Sequence, residues 1–158
     1  MLAVYPGTFD PFTIGHLDIL TRSARLFDKV IVAVSNSPSK KPIFSLEERV
    51  NLTKSCVQHL PNVEVYGFTG MLIDFLRENN ADILIRGIRN MIDSEFELSL
   101  QGMYKMLMPE LEVVLLQASP KIAFISSTLV RDIIQHNGDT SPFVPKQIFE
   151  YIEQYKKN

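Results

Sequence analysis

Short apolar runs rich in β-branched residues alternate along this chain with segments whose apolar residues return every three or four positions. Leu2–Val4, Val30–Val34, Val63–Tyr66, Ile83–Ile85 and Glu112–Leu116 are the runs, and each predicts a buried strand. Leu17, Leu20, Ala24 and Phe27 share one helical face, as do Leu46, Val50, Thr53 and Val57. Met71 to Asn79 predicts a shorter helix. A longer one runs from about Asp93 to Met108, with Phe96, Leu100, Met103 and Leu107 as its apolar stripe and Pro109 closing it. Ser45 and Glu48 form a capping box at the second helix. Ser127 to His136, ended by Asn137-Gly138, and Pro145 to Tyr155 predict the last two.

Strands alternating with helices imply a doubly wound α/β domain: a five-stranded parallel sheet, Rossmann-like, with helices on both faces. No repeat, linker or low-complexity stretch divides residues 1–158, so one domain is expected. Such sheets bind ligands beyond the carboxyl ends of their strands. The polar clusters follow the strands as that rule requires. Thr8, Asp10 and His16 follow the first, and Ser37, Ser39, Lys40 and Lys41 the second, where Ser35 to Ser39 stops the strand. Thr69 and Gly70 follow the third, Arg86 and Arg89 the fourth, and Ser126, Ser127 and Thr128 the fifth.

Composition narrows the ligand. Charged residues make up 22% and apolar ones 46% of 158 residues, ordinary for a folded soluble chain. The net charge of −2 argues against a general nucleic-acid binder, so an anionic ligand must be held by locally gathered cations. No apolar run reaches the roughly 20 residues of a membrane span. The first residues enter a strand without a secretion-signal pattern. Cys56 is the single cysteine, which excludes an intramolecular disulfide or a thiolate metal cluster. A cytoplasmic protein fits these features.

The segment Tyr5 to His16 sets the chemistry. A strand, a Pro/Gly turn and a helix opening with Thr13, Gly15 and His16 form an anion site, because a helix start leaves N–H groups unpaired and carries partial positive charge. The converging groups are arginines, lysines, a histidine and hydroxyls. No G-x-S-x-G elbow, P-loop or G-x-G-x-x-G fingerprint is present. What remains is a cage of donors suited to holding phosphates during phosphorus transfer, with the substrate bringing its own nucleophile. Plainer readings stand beside this one. Lys40-Lys41 is also a solvated loop tip, Ser126–Thr128 also a helix cap, Glu97 also a solvated helix residue. Asp10 before Pro11 reads as a turn residue that orients the loop.

Thr13-Ile14-Gly15-His16 is similar to the T-x-G-H form of the H-x-G-H motif, and Ile125 to Arg131 to the I-S-S-T-x-x-R motif. Together they resemble the nucleotidylyltransferase superfamily. Tyr5 to Pro11, Ser37 to Pro42, Leu46 to Arg49, Ile85 to Arg89 and Leu107 to Glu110 narrow the resemblance to the bacterial phosphopantetheine adenylyltransferases, nearly collinear over the whole chain. Ile14, Phe96 and Thr128 depart from the residues common in that family, usually Asn, often Tyr and in many members Ser.

The resemblance implies attack of the 4′-phosphate of phosphopantetheine on the α-phosphorus of ATP, with Mg²⁺ present and its protein ligands unassigned. Thr8 and His16 would face the α-phosphate, with Phe9 beside the nucleotide. Lys40 and Arg86 would hold the attacking phosphate, with Leu72 along the pantetheine arm. Arg89, Ser127 and Thr128 would hold the β- and γ-phosphates. Gly87, Ile88 and Arg89, with Ile122, Ala123 and Phe124, would border adenine, with Glu97 near; Ile125 and Ser126 would complete the nucleotide wall. The family commonly forms homohexamers and binds coenzyme A as an inhibitor. Adenylyl transfer to another small acceptor such as nicotinate mononucleotide is the alternative.

Overall fold

The computed structural model describes residues 1–37 and 39–157; Pro38, in the segment expected to stop the second strand, lies outside them. The five strands are β1 (Leu2–Gly7), β2 (Lys29–Asn36), β3 (Val63–Thr69), β4 (Ile83–Ile88) and β5 (Glu112–Gln117). They form one sheet in the order β3-β2-β1-β4-β5, and every pairing is parallel. The chain winds outward from β1 to β3, then crosses over to β4, so the order reverses between β1 and β4.

Successive side chains of a strand point to opposite faces, and both faces here are covered. Ala3, Tyr5, Val30, Val32 and Ile85 pack against α1 (Ile14–Leu26), α2 (Leu46–Val57), α5 (Ser127–Gln135) and α6 (Lys146–Tyr155). Val4, Ile31, Ala33 and Leu84 pack on the other side against α3 (Leu72–Glu78) and the end of α4 (Met91–Leu107). Ser45 caps α2 by accepting from Glu48 N–H at 3.1 Å while the Glu48 carboxylate accepts from Ser45 N–H at 2.7 Å, the predicted box.

Three sequence expectations change. β4 continues through Arg86 and Gly87 to Ile88, so these are strand-end residues rather than loop. β1 likewise runs through Pro6 to Gly7. The stripe of α4 is not core: Phe96 is 62% exposed, Met103 47% and Leu107 40%, and the residue it buries is Glu97. Helical spacing gathers apolar groups on one side, but this sheet ends at β5 and its core stops short of that side. No described helix is long and apolar enough to cross a membrane.

Candidate active site

The sheet opens where its order reverses. β1 pairs with β2 at six positions but with β4 only at Ala3 and Val4. Beyond Val4 the two central strands diverge, and Pro6, which has no N–H to offer a ladder, lies in the part that has left β4. The gap becomes a cleft of about 380 Å³ lined by Tyr5, Gly7, Arg86 and Gly87 from the strand ends and by the loops above them.

His16, in the first turn of α1, lines this cleft. Thr13 caps that helix: its side chain accepts from His16 N–H at 3.3 Å, and its own backbone N–H donates to His16 Nδ1 at 3.0 Å. A backbone N–H only donates, so Nδ1 is the acceptor and the neutral ring carries its proton on Nε2. Phe9 and Phe12 flank the ring at 4.9 and 5.5 Å between centroids. Burial, with the nearby Arg89 charge, lowers the His16 pKa to about 4. Near neutral pH the residue is therefore a fixed, uncharged Nε2–H donor. Gly7 makes this packing possible, because a Cβ there would sit 2.8 Å from the Phe9 ring; Phe9 itself holds a left-handed backbone at φ 50°.

The cations arrive from the loop after β2 (Lys40), the end of β4 (Arg86) and the loop after β4 (Arg89). Lys40 Nζ donates to Thr8 Oγ1 at 3.1 Å, bridging the loops after β2 and β1. Arg86 donates from Nε and Nη2 to both carboxylate oxygens of Glu97, at 2.8 and 2.7 Å. This bidentate pair orients the guanidinium, and Glu97 offsets the cost of its burial and keeps it charged. Arg89 pairs with Asp93 at 3.1 Å. On the far wall Ser126 caps α5, accepting from Leu129 N–H at 3.1 Å, and Ser127 Oγ donates to Pro11 O at 2.8 Å. The cap and the cleft wall are the same helix start.

Of the residues singled out in the sequence, Phe9, His16, Lys40, Arg86, Gly87, Arg89 and Glu97 line the cleft, with Ile122, Ile125, Ser126 and Ser127. Thr8, Leu72, Ile88, Ala123, Phe124 and Thr128 do not line it. Thr8 touches it through Lys40. Thr128 Oγ1 accepts from Arg131, Phe124 is 64% exposed, and Leu72 packs against the α3 side of the core. Thr69 and Gly70, which follow the edge strand β3, do not line the cleft either, whereas residues that follow the opposite edge strand β5 do. Glu97 lies under Arg86 and is buried, not a solvated helix residue. Asp10 orients the loop as expected: its carboxylate accepts from Ile43 and Phe44 N–H at 2.9 and 3.1 Å.

The model of the cytidylyltransferase-like family matches residues 4–133. A phosphopantetheine adenylyltransferase from Tolumonas auensis is 51% identical over 150 residues, which covers 95% of this chain and 92% of the relative. The chain belongs to the phosphopantetheine adenylyltransferase family. The fold agrees with a crystal structure from Vibrio parahaemolyticus, of a candidate nicotinate-nucleotide adenylyltransferase. It superposes with a TM-score of 0.75 at 16% identity, over 98% of this chain and 93% of that one.

Within this family member, sequence reasoning missed two groups at the site. Asp93 lines the cleft as the Arg89 partner, and its spacing four residues on in a helix start was the available signal. Arg49, on α2, is 1% exposed and donates to three backbone carbonyls beneath the cleft. Its spacing from Leu46 and Thr53 places it on the buried face of α2 and was the available signal.

A bound metal ion is a poor fit to the protein groups themselves. The cleft carboxylates, Asp93 and Glu97, are each engaged by an arginine, and no cluster of three or more His, Cys, Asp or Glu suited to a metal occurs among the described residues.

Proposed function

We propose that the protein transfers the adenylyl group of ATP to 4′-phosphopantetheine, releasing dephospho-coenzyme A and pyrophosphate, the penultimate step of coenzyme A synthesis, in the cytoplasm. The observation that carries this reading is the convergence of His16, Lys40, Arg86 and Arg89 on one cleft at the switch point of the sheet, in a chain 51% identical to a phosphopantetheine adenylyltransferase. A phosphate monoester is already anionic near neutral pH, its second pKa being about 6. No base is needed to activate it. The task is to overcome repulsion between two polyanions and align them in line.

Lys40 and Arg86 hold the acceptor phosphate, with Leu72 toward the pantetheine arm. An acceptor oxygen forms a bond to the α-phosphorus as the bond to the β-phosphate oxygen breaks, and pyrophosphate leaves with that electron pair. His16 donates its Nε2–H to an α-phosphoryl oxygen, with Thr8 beside it, as negative charge builds in the five-coordinate transition state. Arg89 and Ser127 take the β- and γ-phosphates, with Thr128 next to Ser127 at the start of α5. Adenine lies between the Gly87–Arg89 backbone and residues 122–124. Mg²⁺, where present, would be held by the ATP phosphates and water and would supply neutralisation of phosphate charge. Coenzyme A, which shares the product's groups, occupies the same cleft as a feedback ligand.

The deciding experiment mixes protein, Mg²⁺ and ATP with phosphopantetheine or with nicotinate mononucleotide and follows pyrophosphate. Release that needs phosphopantetheine is expected; release with nicotinate mononucleotide instead would replace this reading with the alternative.

The working form is a homohexamer. Support comes from α4, whose Met91, Ile92, Phe96, Leu98 and Met106 are 58 to 86% exposed, large apolar groups gathered on one helix of the kind that marks interaction sites. Sedimentation should give the mass of six protomers, and I92K/M106K should reduce it. A monomeric wild type at micromolar concentration contradicts the assembly.

A further inference from the structure

We infer that Arg49 is a positioning residue that locks the β1–α1 and β2–α2 loops together and thereby holds Lys40 against Thr8. The inference rests on the reading of Lys40 as the ligand of the acceptor phosphate.

Arg49 Nε donates to Phe44 O at 3.0 Å, and Nη1 donates to Thr8 O at 2.7 Å and to Ser35 O at 2.8 Å. These carbonyls come from three separate segments. Ser35 precedes the loop that carries Lys40 and Phe44 follows it, so one planar group ties both ends of that loop. The third carbonyl belongs to Thr8, whose hydroxyl receives Lys40 Nζ. The lysine and its contact are thus anchored to the same guanidinium.

The electrostatics are unusual for a structural arginine. Arg49 is 1% exposed, yet among the described residues no carboxylate forms an ion pair with it. Burial lowers its pKa from the ordinary arginine value, opposed by the more distant Asp10 charge. A buried cation is costly, and carbonyl dipoles rather than a counter-ion offset that cost here. Such a site depends on the fork of N–H donors, which a lysine does not reproduce. Asp10 adds to the lock from the opposite charge: its carboxylate on the β1–α1 loop accepts from Ile43 and Phe44 N–H on the β2–α2 loop.

The test is Arg49→Lys, with Arg49→Ala as the harsher variant. Kinetics should show kcat/KM for phosphopantetheine reduced about 10²-fold, the size expected when a reacting partner is misplaced by about 1 Å, with the KM for ATP unchanged. In a Lys40→Ala background the same substitution should cost markedly less, the remainder passing through Thr8, because coupled residues are not additive. Hydrogen exchange gives a readout that needs no substrate: peptides covering residues 8–12 and 35–44 should exchange faster in Arg49→Lys, while β4 and β5 keep their protection. An undiminished loss in the Lys40→Ala background, or unchanged exchange in either loop, overturns the inference. If the wild type releases no pyrophosphate with phosphopantetheine, the proposed function fails, and exchange alone still decides the loop lock.

Discussion

His16→Ala is expected to lower kcat by about 10²–10³-fold, the loss associated with one preorganised donor at a developing oxyanion, while the ATP KM changes little. The expectation follows from the Thr13 N–H that occupies Nδ1 and leaves the proton on Nε2, and from a pKa held near 4. Because the ring is neutral throughout the working range, no fall in kcat between pH 8 and 6 should trace to His16. Stability should respond instead. A base whose folded pKa lies below its ordinary value of 6.5 resists protonation in the folded state, whereas the unfolded chain accepts the proton. Stability is therefore complete above pH 6.5 and lost as pH falls toward 4, by about 2 kcal/mol at pH 5 for a shift of this size. Urea denaturation of wild type and His16→Gln at pH 7 and 5 checks this, and the variant should lose less. An equal loss in both, or an unchanged kcat in a folded His16→Ala, removes the residue from its assigned part.

Glu97→Ala is expected to destabilise the fold by about 3 kcal/mol and to raise the acceptor KM. Arg86 stands on β4 with Glu97 as its bidentate partner, and removing one member of a buried pair leaves the other charge uncompensated. Arg86 retains a modest route to solvent, at 23% side-chain exposure, which places the cost at the low end of that range. The freed guanidinium no longer holds one orientation, so acceptor binding weakens as well. Glu97→Gln keeps an acceptor oxygen and should lie between the two. Chemical denaturation and initial rates with varied acceptor check both parts; wild-type stability in Glu97→Ala would show that the pair is dispensable.

The five strands and six helices among the described residues were legible because each carries a local signal that burial then enforces. The Ser45–Glu48 box and the Thr13 cap act within one turn of chain, and the buried β-branched runs suit a sheet covered on both faces. The placement of His16, Lys40, Arg86 and Arg89 was legible for a topological reason: parallel strands bring their carboxyl ends to one rim. Which loops reach the cleft was not: Ser126 and Ser127, beyond the edge strand β5, line it, whereas Thr69 and Gly70, beyond the opposite edge strand β3, do not. Two partnerships were also hidden. Arg86 and Glu97 meet across a strand end and a helix turn, and Arg49, although helical spacing puts it on the buried face of α2, finds its carbonyl partners in segments distant in sequence, so neither set of partners follows from a spacing rule. The α4 stripe shows the same boundary, since periodicity reports that a face is apolar and is silent about what covers it.

The stereochemical course at phosphorus tests the central claim most directly, namely that the protein holds two anions together and contributes no nucleophile of its own. ATP bearing sulfur at one α-phosphoryl position of known configuration would be turned over with phosphopantetheine, and the configuration of the thio-product determined. A single in-line displacement inverts that centre, the predicted result. Retention would mean two displacements through an enzyme-bound adenylyl group and would contradict the account.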